Sequence, residues 1–300
     1  MIESNILLTG GGGQIGTEFQ RLAPKAWRIA APDLHDLDIG NPAAVAARVG
    51  SQAWSAVINA AAFTAVDKAE SEIAAAWRVN AYGPALLAEA TSRANVPLIQ
   101  LSTDYVFDGR KPGPYVEGDP VGPLSVYGAS KEAGEQAVRT GNPRHIIVRT
   151  AWIISPHGAN FAKTMLRLAA HGSALRVVDD QIGCPTSAAD VADTLISIAK
   201  RLISDLDTPT GDYHFVNAGE TSWCGLARAI FARMAERGVD VPTVEAIGTV
   251  DYPTPARRPA NSRLDTAKLR RDFAITPRPW LTAADEVTDS LLDQSAQAGF

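Results

Sequence analysis

Short apolar runs alternate with longer Ala-rich stretches of helical character along the first half of the chain. The apolar runs occupy residues 6–8, 28–31, 56–58, 97–101 and 145–148. The stretches between them occupy residues 14–22, 43–49, 73–94 and 130–139. Each stretch is long enough to be the crossover helix that a pair of parallel strands requires. The pattern therefore predicts an α/β fold with a doubly wound parallel sheet of Rossmann type.

The alternation of apolar runs and helical stretches becomes irregular after about residue 150, where helical stretches mix with short strands and loops that contain proline. The helical stretches are residues 161–170, 188–202 and 222–237. No Gly/Ser-rich or Pro-rich linker separates the two halves, so we expect two lobes that share one core. Residues 1–150 are predicted to form the sheet domain, with later segments returning to it. Residues 151–300 are predicted to form mainly a smaller C-terminal lobe.

Composition and charge exclude several classes of protein. The 300 residues are 46% hydrophobic and 20% charged, which is typical of a soluble globular protein with a sizeable core. The formal net charge of −5 has the wrong sign for a protein that binds nucleic-acid phosphates. The longest apolar candidate, residues 56–66, is too short to span a bilayer, and the chain start lacks the basic region of a signal peptide. We therefore expect no nucleic-acid or membrane partner.

The cysteines and histidines give no sign of a metal centre. Cys184 and Cys224 are the only cysteines, and they have neither CxxC nor metal-ligand spacing. The five histidines show no HxH or HExxH spacing. We expect a cytoplasmic protein without a disulfide framework or a metal ligand set.

A glycine-rich turn follows the first predicted strand and precedes the first predicted helix. Gly11, Gly13 and Gly16 give GxGxxG, while Gly10, Gly13 and Gly16 give GxxGxxG, and both registers fit. Glycines let a pyrophosphate approach the unpaired N–H groups of a helix start, and Gly16 lets the helix pack closely. Asp33 follows the second predicted strand, 20 residues after Gly13, where a carboxylate can bind an adenosine ribose. The turn predicts a dinucleotide-binding domain in residues 1–150.

The choice between the two nicotinamide dinucleotides stays open at this point. The charge of Asp33 favours NADH because it repels the 2′-phosphate of NADPH. His35 and other nearby donors can soften that preference. The sequence therefore indicates NADPH or NADH as the cofactor.

Tyr127 and Lys131 lie four residues apart at a predicted helix start, so their side chains share one face. A neighbouring cation favours phenolate, and we expect Lys131 to lower the pKa of Tyr127 toward the working pH. Thr103 follows the strand at 97–101, at the carboxyl end where open α/β sheets build their sites. Together with the glycine turn, these residues predict acid catalysis of carbonyl reduction.

Several segments resemble extended short-chain dehydrogenases/reductases and, more narrowly, the dTDP-4-dehydrorhamnose reductase family. Besides the glycine turn and the Tyr127/Lys131 pair, they are residues 59–70, 102–107, 149–152, 160–165, 180–186 and 254–259. The distal segments are the specific ones, since the whole superfamily shares the glycine turn and YxxxK. The resemblance implies that residues 151–300 bind mainly a sugar nucleotide. It further implies reduction of the C4 ketone of dTDP-4-dehydro-L-rhamnose to dTDP-L-rhamnose.

The resemblance also assigns roles to matching positions. Tyr127 would protonate the C4 alkoxide, Lys131 would tune Tyr127 and bind the nicotinamide ribose, and Thr103 would assist by hydrogen bonding. The implied cofactor-binding residues are Gly10, Gly13, Gln14, Ile15, Gly16, Asp33, Asp38, Ile39, Ala62, Phe63, Thr64, Tyr127 and Lys131. The implied sugar contacts are Thr103, Asp104 and Trp152. Some relatives form homodimers and bind Mg²⁺ at the dimer contact, but we find no carboxylate cluster to assign to that ion.

Two further sets of polar residues have two interpretations each, and a third has one. Arg257, Arg258 and Arg263 are candidates for the substrate pyrophosphate because a guanidinium fork suits it, yet surface arginines are common; of these we select Arg257. Asn160 either contacts the substrate or caps the helix that follows it. The acidic stretch at residues 67–72 is interpreted as a solvated helix face with local ion pairs.

Two alternative functions remain. Nucleotide-sugar epimerases and dehydratases share the glycine turn and YxxxK but return the hydride within one turnover. Dehydratases usually place a pair of acidic residues after the active threonine, whereas Thr103 is followed by Asp104 and Tyr105. The regulatory subunit of methionine adenosyltransferase, which binds a partner protein, also resembles this sequence.

Overall fold

The computed structural model describes residues 3–170 and 174–297 and confirms the predicted α/β class. Its strands are β1 (Ser4–Thr9), β2 (Trp27–Ala30), β3 (Ala56–Asn59), β4 (Leu98–Thr103), β5 (His145–Thr150), β6 (Ile153–Ile154), β7 (Leu175–Val178), β8 (Ile182–Gly183), β9 (Thr186–Ser187), β10 (Gly211–His214), β11 (Thr221–Ser222), β12 (Val244–Ile247) and β13 (Asn261–Ser262). Its α-helices are α1 (Gln14–Leu22), α2 (Pro42–Gly50), α3 (Val66–Ala69), α4 (Ile73–Trp77), α5 (Gly83–Arg93), α6 (Val126–Gly141), α7 (Phe161–Ala169), α8 (Ala188–Ser204), α9 (Trp223–Glu236), α10 (Ala267–Phe273) and α11 (Trp280–Gln297).

A parallel sheet with the strand order β2-β1-β3-β4-β5-β10 forms the centre of the molecule. Strands β1, β3, β4 and β5 are buried on both faces, which explains their continuous apolar runs, whereas the edge strand β2 is only partly buried. On one face, Ile6 and Leu8 pack with side chains of α1 and α8, while on the other Leu7 packs with side chains of α2 and α5. The chain order reverses between β1 and β3. The carboxyl ends of these two strands therefore flank a crevice where doubly wound folds bind ligands.

The second half of the chain contributes to the central sheet and also forms a core of its own. Strand β10 pairs with β5, and α8 packs against α1. A separate cluster of buried side chains joins α7, α9 and α11, with Met165, Leu226 and Leu291 among its members. Within the two described ranges, no helix is long and apolar enough to cross a bilayer.

The helix predicted over residues 73–94 is interrupted by a π-helical turn at Arg78–Tyr82, which lies between α4 and α5. The N–H of Gly83 donates to the carbonyl of Arg78, five residues earlier. Pro84 has no N–H with which to bond the Asn80 carbonyl, so the regular helical ladder cannot continue there. The sequence period alone did not indicate this break.

Helix α6, which carries Tyr127 and Lys131, begins at Val126, so Tyr127 lies at a helix start as predicted, while the helix extends beyond the stretch predicted at residues 130–139. Ser125 is its N-cap, and the Ser125 hydroxyl accepts a hydrogen bond from the N–H of Gly128 at 3.2 Å. Tyr127 therefore lies in the first turn of α6.

A buried ion network attaches α6 to the sheet. The Arg149 side chain on β5 is 1% exposed and makes a bidentate pair with Glu135 of α6, at 2.9 and 2.7 Å. Asp212 of β10 accepts from Arg149 at 3.2 Å and from Arg139 at 2.7 Å. Helix α6 and the sheet thus meet at charged groups that pair with one another, which offsets the cost of removing each charge from water.

We predict that Glu135→Ala lowers the free energy of unfolding by about 3 kcal/mol, because two guanidinium groups then share the single carboxylate of Asp212. Urea denaturation measures the change. The matched control is Glu89→Ala, which removes a carboxylate from an exposed pair with Arg93 and is expected to cost less than about 1 kcal/mol. Equal losses in the two variants would contradict a stabilising role for the buried network.

Candidate active site

The glycine turn after β1 is folded so tightly that side chains are excluded from it. Gly10 has a φ of +73°, and a Cβ there would lie 2.5 Å from backbone atoms of Ala60 and Ala61. A Cβ on Gly16 would overlap the carbonyl oxygen of Gly10. Gly13 caps α1 without a side chain, so no side-chain acceptor occupies the first N–H groups of the helix. This open cradle at a helix N-terminus fits the pyrophosphate of a dinucleotide.

A layer of buried polar side chains crosses the carboxyl ends of β1, β3 and β4. Thr9 donates to Asn59 Oδ1 at 2.5 Å, and Asn59 Nδ2 donates to Gln100 Oε1 at 2.7 Å. Gln100 Nε2 and Lys131 Nζ both donate to the carbonyl of Leu101, each at 2.7 Å. The layer therefore fixes the Lys131 ammonium beneath the crevice. The sequence analysis gave no role to either Thr9 or Gln100.

The site keeps Tyr127 protonated. Burial raises the pKa of the Tyr127 phenol to about 12, against the opposing effect of the Thr103 hydroxyl beside it. Burial also lowers the pKa of Lys131 to about 8. The largest influence on the Tyr127 pKa here is desolvation, and the Lys131 ammonium is held on the Leu101 carbonyl, so the lowering of the Tyr127 pKa by Lys131 stays a prediction. At neutral pH the phenol retains a proton that it can donate.

Thr103 and Asp104 place further polar atoms at the end of β4. Thr103 Oγ1 donates to Asp104 Oδ1 at 3.0 Å and accepts from the N–H of Tyr105 at 3.2 Å. Burial raises the pKa of Asp104 to about 6, although Ser262 and Thr103 oppose the shift. Asp104 Oδ2 and Thr150 Oγ1 are buried without a hydrogen-bond partner among the described residues. Unsatisfied buried polar atoms of this kind fit a polar ligand that supplies the missing bonds.

The implied adenosine-binding residues lie on the loop after β2. Asp33 is exposed, and its Oδ1 accepts the N–H groups of His35 and Asp36 at 2.8 and 3.0 Å. Asp38 pairs with Arg78, and the hydrogen bond from that guanidinium holds the pKa of the Asp38 carboxyl below its usual range. The Ile39 side chain is buried in the core. Asp38 and Ile39 therefore anchor the loop.

The loop at residues 62–64 is held by a side chain that sequence reasoning missed. Asn80, on the π-helical turn, accepts the N–H of Phe63 at 2.8 Å and donates to its carbonyl at 3.1 Å. Asn80 Nδ2 also donates to Ser130 Oγ at 3.0 Å, and Ser130 donates to the Tyr127 carbonyl at 2.8 Å. Ala62 and Thr64 flank Phe63 at the edge of the crevice. Only Pro84, which forces the π turn, could have signalled this arrangement from sequence.

Two residues of the second half that the sequence assigned to ligand contacts have different surroundings: Asn160 contacts the glycine turn, and Trp152 is buried in the second hydrophobic core. Asn160 caps α7 by accepting the N–H of Lys163 at 3.2 Å, and it also donates to Gln14 Oε1 at 3.0 Å. It therefore both caps a helix and touches the cofactor turn, next to Ile15. Trp152 has a φ of +51° and stacks on Trp223 with ring centroids 3.6 Å apart. The stack holds Trp152 in a conformation that is rare for a bulky residue.

The three candidate arginines have different environments. Arg257 is exposed. Arg258 pairs with Asp67 at 2.8 Å, and Arg263 pairs with Glu220 at 3.1 Å. The interpretation of residues 67–72 as a solvated helix face is therefore wrong for Asp67, whose partner lies 191 residues away.

No group of three or more His, Cys, Asp or Glu side chains within residues 3–170 and 174–297 could hold a metal ion. Cys184 and Cys224 are buried free thiols. The groups that line the crevice include the Tyr127 phenol, the Lys131 ammonium, the Thr103 hydroxyl and the buried Asp104 carboxyl group.

We predict that Asp104→Asn gains stability relative to the native chain as the pH rises. The native pKa of about 6 lies above the ordinary aspartate pKa of 3.8, so the contribution of Asp104 is fully present below the unfolded pKa and is lost as the pH rises through 6. The difference in free energy of unfolding between the two proteins should grow by about 1–3 kcal/mol between pH 4 and pH 7.5. Urea denaturation at each pH measures it. A constant difference would contradict the burial of a charged Asp104.

Comparison with known proteins agrees with this geometry. The family model of the RmlD substrate binding domain matches residues 4–292. A dTDP-4-dehydrorhamnose reductase from Aggregatibacter actinomycetemcomitans is 44% identical over 288 residues, covering 95% of this chain and 98% of the relative. The structure of a Clostridium acetobutylicum dTDP-4-dehydrorhamnose reductase superposes with a TM-score of 0.90 at 38% identity, covering 96% of this chain and 99% of that one.

A Bacillus anthracis dTDP-4-dehydrorhamnose reductase, solved in complex with NADP, has a TM-score of 0.88 at 34% identity, covering 95% of this chain and 99% of that one. Family model, sequence relatives and solved structures agree over nearly the full length. The chain belongs to the dTDP-4-dehydrorhamnose reductase family, within the group defined by the RmlD substrate binding domain.

Proposed function

We propose that the chain reduces the C4 ketone of dTDP-4-dehydro-L-rhamnose to dTDP-L-rhamnose with NADPH or NADH. The observation that carries the proposal is the convergence of Tyr127, Thr103 and Lys131 at the carboxyl edge of the sheet, beside a glycine cradle suited to a dinucleotide. The names of the full-length relatives support the same substrate and reaction.

The proposed proton donor is Tyr127. The bound nicotinamide supplies the hydride that reduces C4. Tyr127 Oη donates its proton to O4 as negative charge develops there, and the resulting phenolate regains a proton from solvent. A pKa of about 12 keeps the Tyr127 phenol protonated at neutral pH. Thr103, whose hydroxyl is oriented by Asp104 and by the N–H of Tyr105, fixes the direction of the phenol.

Lys131 is assigned to positioning. Its ammonium is held on the Leu101 carbonyl and, with a pKa of about 8, carries a charge at neutral pH. We propose that it binds the nicotinamide ribose. The family resemblance implies the same ribose contact.

The cofactor would lie along the crevice between β1 and β3. Its pyrophosphate would meet the glycine cradle and the N–H groups of Gln14 and Ile15, its adenosine ribose would meet Asp33, and its middle would follow residues 62–64. The exposed Asp33 repels a 2′-phosphate, but a family member with 34% identity is in complex with NADP. Both nucleotides therefore belong in the proposal.

The sugar nucleotide would lie between the crevice and the second lobe. We propose that residues 151–300 supply most of its contacts, with Trp152, Asn160 and the exposed Arg257 on that side and Asp104 on the sheet side. We also propose a homodimer and a cytoplasmic location; the buried free thiols Cys184 and Cys224 suit a reducing compartment.

The test is an assay with the 4-keto sugar nucleotide and each of NADH and NADPH. We expect oxidation of the nucleotide only in the presence of the sugar, with one nucleotide consumed per sugar reduced. Sugar conversion without net consumption would indicate an epimerase or dehydratase. Absence of turnover together with a stoichiometric protein partner would indicate a regulatory subunit. The names of the full-length relatives favour neither alternative.

We predict that Tyr127→Phe lowers kcat by roughly 10² or more, because the proton donor is removed while the ring is kept. Nucleotide binding, followed by NADPH fluorescence, should be retained. The matched control is Tyr105→Phe, which removes a neighbouring phenol whose ring packs edge-on against Tyr127 at 5.5 Å. The control should stay within a few-fold of the native rate. Full activity in Tyr127→Phe would refute the assigned role.

A further inference from the structure

The short helix α3 contacts two parts of the molecule that are far apart in sequence. It follows the loop at residues 62–64, and Ala69 anchors it in the core with no exposed surface. Asp67, within α3, reaches a loop of the second half of the chain. Glu70, directly after α3, reaches the first residue of α6. Both carboxylates therefore have structural partners.

Asp67 holds the loop at residues 254–259. The Arg258 guanidinium makes a bidentate pair with Asp67, with Nη2–Oδ2 at 2.8 Å and Nη1–Oδ1 at 3.1 Å. Asp67 Oδ1 also accepts the N–H of Ala256 at 3.2 Å, and Arg258 Nη1 donates to Thr254 Oγ1 at 2.5 Å. The Asp67 side chain is 42% exposed, so the pair contributes little to stability. Its bidentate geometry instead fixes where the loop lies.

Glu70 holds the first turn of α6. Glu70 Oε1 accepts the N–H of Val126 at 2.8 Å, and Ser125 Oγ accepts the N–H of Gly128. A carboxylate at a helix N-terminus satisfies a donor that the helix leaves unpaired and complements the helix dipole. Tyr127 lies between Val126 and Gly128. The two bonds therefore hold the backbone on both sides of the phenol.

We propose that α3 is a positioning element that links the loop at 254–259 to the first turn of α6, with Asp67 and Glu70 as positioning residues for Tyr127. The inference rests on the proposed function of Tyr127 as proton donor. When Arg258 is paired with Asp67, α3 is held at both ends, and Glu70 presents its carboxylate to Val126. Release of the loop frees α3 and, through Glu70, the turn that carries the phenol.

The first test compares Glu70→Ala, Glu70→Gln and Glu72→Ala. Glu72 belongs to the same acidic stretch, is 46% exposed and pairs only loosely with Lys68, at 3.5 Å, so its removal is the matched control. Glu70→Ala should lower kcat roughly tenfold with little change in the KM for nucleotide. The reason is that the Tyr127 phenol is misaligned while the glycine turn that binds the nucleotide is intact. Glu70→Gln should recover most of the rate, since its amide oxygen can still accept from Val126. Equal rates in Glu70→Ala and Glu72→Ala would overturn the role of Glu70.

The second test examines whether Asp67 and Glu70 act on Tyr127 through the same element, α3. Asp67→Ala should lower kcat and raise the KM for the sugar nucleotide, and the Asp67→Ala/Glu70→Ala double variant should have nearly the kcat of Glu70→Ala alone, because both changes act through one element. Losses that multiply would show two independent effects and would overturn the link.

Amide hydrogen exchange gives a readout that does not depend on the substrate. Exchange at Val126 should accelerate in Asp67→Ala as well as in Glu70→Ala, and it should stay at the native rate in Glu72→Ala. An unchanged Val126 rate in Asp67→Ala would overturn the link even if activity falls. If the native chain does not reduce the keto sugar, the proposed function fails, while the exchange measurement still decides whether α3 connects the loop to α6.

Discussion

The close approach of α6 to two neighbouring backbone segments is the constraint on which the rest of the site depends. A Cβ on Gly128 would overlap the carbonyl oxygen of Tyr105, and a Cβ on Gly134 would overlap that of Asn80. Because both positions lack a side chain, α6 seats directly on the end of β4 and on the π-helical turn. That seating brings Tyr127 to Thr103 and Lys131 to the Leu101 carbonyl.

Desolvation sets the electrostatics of the site more than any ion pair does. It is the largest cause of the raised pKa values of Tyr127 and Asp104 and of the lowered pKa of Lys131. The three groups respond in the direction that favours their neutral forms, as expected where water is excluded. For a proton donor this direction is useful, because the phenol stays protonated. For Asp104 it leaves a carboxyl group whose charge is costly unless a ligand or solvent meets it.

Polar contacts between distant segments surround these desolvated groups. Asn80 joins the loop at residues 62–64 to α6, and Asn160 joins α7 to the glycine turn. Asp67 joins α3 to the loop at residues 254–259. Each contact spans elements that lie far apart along the chain, and each meets the crevice or a segment that borders it. The geometry of the crevice is therefore shared between the two halves of the sequence.

Local chemistry was enough to predict the sheet, the glycine turn, the family and the Tyr127/Lys131 pair, because apolar runs, missing Cβ atoms and helical spacing act over a few residues. The tertiary structure alone decided what those groups experience. It placed Lys131 on a carbonyl, raised the pKa of Tyr127, broke the predicted helix at Arg78–Tyr82 and turned Asp67 and Glu70 from presumed surface charges into contacts. Burial and partners across more than a hundred residues arise only when the chain is folded, so no local pattern encodes them.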